Sequence, residues 1–77
     1  MTNNNYKVGD LFILPMSLKD TDYMFETEVV SKVVRIDEKK QFVEIHAIKE
    51  GYRNKFFPKP YFEWLLRVKK IVPVDIE

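Results

Sequence analysis

Val43, Ile45 and Ala47 alternate with Glu44 and His46, the cleanest period-two pattern in the chain. Successive side chains of a strand point to opposite faces, so this segment is a half-buried strand with one apolar side. It needs a sheet to sit in, and the chain has only 77 residues from which to build one. A second core does not fit in that length. With 45% hydrophobic and 14% aromatic residues, the chain is also too apolar for disorder. One small mainly-β domain over residues 6–73 is expected, with tails at 1–5 and 74–77.

The rest of the chain supplies further strands. Gly9-Asp10 is turn chemistry ahead of Leu11-Phe12-Ile13-Leu14, a strand-length run that Pro15 should close. Residues 16–22 are mostly polar and predict a projecting loop that tolerates change. Residues 23–36 place valines at helical spacing, but their β-branching favours a long strand, kinked near Ser31-Lys32. Asp37 to Gln41 then form a hairpin loop. After Gly51, residues 52–57 predict a short aromatic strand, stopped by Pro58-Lys59-Pro60. Tyr61, Trp64, Leu65, Val68 and Val72 recur at helical spacing, which permits a helix starting at Pro60. A single turn followed by a strand competes with it. The expectation is a short helical turn near 60–66 and a short strand within 65–72, with Pro73 ending the ladder. Val43, Ile45, Ala47, Val34 and either Leu11 or Phe12 should form the core, joined by Phe57, Tyr61 and Trp64.

Lys7-x-Gly9-Asp10 before the first strand, the central hairpin, and Phe57-Pro58-Lys59-Pro60-Tyr61 before the last one resemble a small SH3-like barrel of the Tudor or KOW kind. The resemblance spans most of residues 6–72, although Val30 to Ile36 lacks the KOW glycine. It implies a five-stranded barrel, or else a strongly bent antiparallel sheet, and a binding module in place of a reaction. In size, Asn/Lys richness and plain architecture the chain also resembles short reading frames of bacterial phages and mobile elements.

Chemistry is sparse. The absence of cysteine removes disulfides, thiolate zinc sites and thiol nucleophiles together. His46 is the only histidine, so a metal site would need an all-oxygen set, and no metal or cofactor is expected. Ser17 and Ser31 lack a nucleophile-elbow context, and two glycines cannot build a phosphate loop. No enzyme is expected. The longest apolar run is far below the roughly 20 residues of a membrane span. With no export signal either, a cytoplasmic home is the expectation.

Charge is the informative feature. The net charge is only +1, yet residues 49–70 hold seven basic and two acidic side chains together with six of the eleven aromatics. Adjacent aromatics on a strand face opposite ways, so some of Tyr52, Phe56, Phe57, Tyr61, Phe62 and Trp64 must meet solvent. Exposed rings beside arginine have the composition of a protein-binding hot spot. The expected partner is a protein, met through Tyr52, Arg53, Phe62, Trp64 and Arg67, with Phe62 and Tyr52 as leading anchors. The alternative is a nucleic-acid module using Lys55, Lys59, Arg67, Lys69 and Lys70. A core this small also gains from association with copies of itself, so a homo-oligomer is a third kind of partner.

Overall fold

The valine-rich segment becomes the spine of a sheet, because one long strand serves as partner to two neighbours. The computed structural model describes residues 6–20 and 25–74, so the tail at 1–5 and the start of the segment at 23–24 lie outside the described residues. Five strands run antiparallel: β1 (Leu11–Ser17), β2 (Glu26–Asp37), β3 (Phe42–Ala47), β4 (Lys55–Pro58) and β5 (Val72–Pro73). A helix, α1 (Lys59–Arg67), links β4 to β5. The order across the sheet is β4-β3-β2-β1-β5, and the sheet is open. It does not close into the SH3-like barrel, so an antiparallel sheet is the form found. The end of β1 does touch the β3–β4 connection, through a Leu18–Tyr52 bridge.

The kink in β2 lies later than Ser31-Lys32. Val33 pairs with Ile45 and Arg35 with Glu44, which leaves Val34 as the extra residue of a bulge. The bulge resets the alternation, so Val33 and then Ile36 both face the core. Val33 is therefore fully buried and Val34, expected there, is only half-buried. Just above, the Gly9 N–H donates to the Val33 carbonyl (2.8 Å) and the Val33 N–H to the Asp10 carbonyl (3.0 Å). Gly9 reaches that position with φ +102°, a left-handed conformation that costs a glycine little.

Pro15 does not end β1, which continues to Ser17. The odd residues of β1 turn their main-chain groups away from β2. Thus the Leu11 carbonyl accepts from Val74 N–H (2.9 Å) and the Ser17 carbonyl from Arg53 N–H (2.7 Å). The proline's missing N–H faces that same edge and removes no bond to β2. On the opposite edge Lys59 N–H donates to the Gln41 carbonyl (2.8 Å), so Phe57 faces β3 and Pro58 faces outward. The two edge strands, β4 and β5, each carry a proline, Pro58 and Pro73, that offers no N–H to an added strand.

The projecting loop expected over 16–22 is corrected by β1's extra length. Met16 and Ser17 are buried and Leu18 is bridged; residues 21–22 lie outside the described residues. The core comprises Phe12, Leu14, Met16, Val33, Val43, Ile45, Phe57, Phe62, Leu65 and Ile71, between one sheet face and α1. Val43 and Ile45 are where the alternation puts them, Phe12 and not Leu11 faces inward, and Ala47 is only partly buried.

Several boundaries at the C-terminal end also move. β4 starts at Lys55 and includes Pro58, and α1 runs nine residues from Lys59, with Pro60 in its first turn. β5 is Val72–Pro73, so Pro73 is a ladder residue and not a stop. Val74 joins the domain through its bond to Leu11 and is not tail. The helix ends with Lys70 N–H donating to the Leu65 carbonyl (2.9 Å) and Lys69 N–H to the Leu66 carbonyl (3.2 Å). This is the Schellman arrangement, with Lys69 at φ +64° where glycine is usual. Lys69→Gly should therefore raise stability by about 0.5–1 kcal/mol, measured as a higher urea midpoint. A lower midpoint would mean that the lysine side chain contributes more than the strained backbone costs.

Candidate binding surface

A helix turns about 100° per residue, so residues 61, 64 and 68 lie on one side and 62, 65 and 66 on the next. Both sides of α1 are apolar, and packing selects between them. Phe62 and Leu65 enter the core, with Leu66 packed against it. The Phe62 ring meets Tyr6, Phe12 and Phe57 at 5.0, 5.4 and 5.7 Å between centroids. Phe62 is therefore no anchor for a partner, because it has no exposed surface. The stripe expected in the core is the one left outside: Tyr61 is 48% exposed, Trp64 41% and Val68 41%. Tyr61 and Trp64 stack with centroids 6.0 Å apart and planes 18° from parallel. Tyr61 also leans on Phe57 at 5.9 Å, which ties the stack to the core.

Tyr52 and Arg53 belong to a different part of the molecule. Tyr52 packs partly buried against the core and bridges Leu18. Arg53 binds the end of β1, its Nη2 donating to the Lys19 carbonyl at 2.9 Å. The structure thus separates this pair from Trp64 and Arg67, and the pairing that sequence reasoning missed is Tyr61 with Trp64. Phe56, Phe42 and Arg35 make a second aromatic group on the sheet's outer face. Phe42 and Phe56 meet edge-on at 5.9 Å, and the Arg35 guanidinium lies 4.8 Å above Phe42.

The five lysine and arginine candidates divide in the same way. Lys55 Nζ donates to the Pro15 carbonyl (2.7 Å) and to Glu26 (3.0 Å). Lys59 Nζ donates to Glu63 (2.9 Å) and lies 3.7 Å from Glu38. These two cations are used inside the fold. Arg67, Lys69 and Lys70 are exposed at the end of α1, and none has an ion pair within 4 Å among the described residues. A cleft of about 300 Å³ opens beside them, lined by Glu26, Lys55, Tyr61 and Lys70 among others.

Tyr6, Lys59 and Glu63 form a network that ties the chain start to α1. The Tyr6 hydroxyl donates to Glu63 at 3.0 Å, on the same carboxylate oxygen that Lys59 reaches. The Lys59 bond, and secondarily Tyr6, holds the Glu63 carboxyl below its ordinary range, while the bond to Glu63 raises the Lys59 ammonium. Burial first, and then the Glu63 contact, raises the Tyr6 phenol. A carboxyl lowered in the folded state stabilises the fold above its unfolded pKa of about 4.3. That stability is lost as pH falls through the folded value. Glu63→Gln should therefore flatten the fall in urea midpoint between pH 6 and pH 2; an unchanged slope would show that the network does not govern acid unfolding.

His46 Nε2 lies 2.7 Å from Glu44 Oε2, and Glu44 also accepts from Arg35 Nε at 3.1 Å. The histidine bond is the main cause that lowers the Glu44 carboxyl, ahead of Arg35. Ser31 is buried, and its hydroxyl donates to the Val29 carbonyl at 3.3 Å. Among the described residues no three His, Asp or Glu side chains cluster as a metal site, and no helix is long and apolar enough to cross a membrane. No family model, curated protein or solved structure matches this chain.

Proposed function

We propose that the chain is a non-catalytic binding module that acts on a protein partner through the outer side of α1. The observation that carries this reading is the stacked pair Tyr61 and Trp64, both more than two-fifths exposed, with Val68 one turn further on. Two rigid rings offer large contact area at little entropic cost, and Arg67 beside them adds a planar donor. In the phage-like reading the partner is a host protein that the chain modulates or inhibits.

Nucleic acid is the second reading, because Arg67, Lys69 and Lys70 stand exposed beside the rings. Cations for phosphates and ring faces for bases suit a single strand. It ranks lower because Lys55 and Lys59, two of its five candidates, already hold carboxylates.

One experiment separates the readings. Trp64→Ala should weaken partner capture from a nuclease-treated extract by about 30-fold, the equivalent of 2 kcal/mol, while the urea midpoint barely moves. Lys69→Ala with Lys70→Ala should leave capture nearly unchanged. If the double lysine variant loses binding, the loss steepens with salt, and nuclease abolishes capture, nucleic acid is the ligand. Full capture by Trp64→Ala would remove α1 from the interface.

A further inference from the structure

We propose that the outer face of the sheet docks a second copy of this chain, face to face across a two-fold axis. The inner face is covered by α1, and the outer face carries an apolar row across three strands and Ile48, the residue that follows β3. Val72 pairs with Ile13, Ile13 with Val30, and Ile48 N–H donates to the Val30 carbonyl. Residues directly opposite each other in an antiparallel pair share a face, so these four side chains line up. Val72, Ile13 and Ile48 are 51%, 37% and 57% exposed. A depression of about 260 Å³ lies along the row between Ile13, Val30 and Ile48.

The charges beside the row identify the occupant. The β2 residues on this face nearest the row are Glu28, Val30 and Lys32, an acid and a base two positions either side of a row member; Arg35 lies further along, beside Phe42. Glu28 and Lys32 are exposed, and neither has an ion pair within 4 Å among the described residues. A two-fold axis running along the row reverses the strand direction of the second copy. Row then lies on row, while Glu28 of each copy stands opposite Lys32 of the other. On β1 the same operation sets Leu11 against Pro15, apolar on apolar. The surface is complementary to itself, as an isologous interface requires. Strand addition is not the route, since Pro58 on β4 and Pro73 on β5 remove N–H donors from the two edge strands.

The face is small. Strands spaced about 4.8 Å apart give roughly 400 Å² of flat area per copy, or about 800 Å² in total, below the standard size of a specific interface and in the range of weak, transient contacts. The dimer is therefore weak and concentration-dependent. Sedimentation equilibrium from about 10 μM to 1 mM should show a mass rising from 9.3 kDa toward twice that value. Glu28→Lys and Lys32→Glu should each weaken the dimer at least tenfold. The double reversal should restore it to within about threefold of the parent, with all three variants keeping the parent's circular dichroism. Three results would overturn the proposal: a monomer throughout, a dimer insensitive to both single reversals, or a double reversal as weak as the singles. A dimer lost in Trp64→Ala but kept in the reversals would place the contact on α1 instead, and would also overturn it.

Discussion

Phe62→Ala should remove about 3–5 kcal/mol of stability, the largest loss expected from any single aromatic in the chain. The ring is fully buried and touches three other rings, from the chain start, from β1 and from β4. Its removal leaves a cavity where sheet and helix meet, and none of these neighbours can fill it without leaving its own place. A 77-residue domain typically has only about 4–11 kcal/mol in total. The variant should therefore unfold at much lower urea than the parent and approach marginal stability at 37 °C. Trp64→Ala, on the opposite side of the same helix, should cost under about 1 kcal/mol. A Phe62→Ala loss below about 1.5 kcal/mol would mean that α1 is rotated on the sheet, with the Tyr61–Trp64 side inward.

Met16→Ala should cost roughly 2–5 kcal/mol, although the residue stands in a stretch that reads as a polar loop. It is 1% exposed and pairs with Thr27 across β1 and β2. Replacing residues 16–22 by a Gly-Ser linker should for the same reason abolish folding, because it deletes Met16, the buried Ser17 and the Leu18–Tyr52 bridge. Leu18→Ala alone should cost under about 1 kcal/mol, since that side chain is 40% exposed. Thermal melts of the three variants distinguish core from loop. A linker variant that melts within a few degrees of the parent would end β1 at Pro15.

The strands were legible where the alternation was strict or the β-branching dense. Val43 and Ile45 announce their own burial, because period two can satisfy only one face. The length of β2 follows from its valines, since no helix or loop accommodates them as well.

Other features depend on contacts distant in sequence. Whether Pro15 stops a strand depends on which edge its nitrogen faces, and only the pairing with β2 decides that. The position of the bulge is set by Gly9 and Asp10 bonding to Val33, more than twenty residues away in the chain. Most consequential is α1, where apolar residues 61, 62, 64, 65 and 66, with Val68 just past its end, cover an arc of about 200°, wider than one buried stripe. Periodicity finds such a helix but cannot rank its faces. The inward side is chosen by the place Phe12, Phe57 and Tyr6 leave for one ring, and Phe62 takes it. The sequence by itself determined a small mainly-β domain with too many aromatics for its core. Tertiary packing decided which of them were left facing solvent, Tyr61 and Trp64 on α1 and Phe56 on the sheet among them.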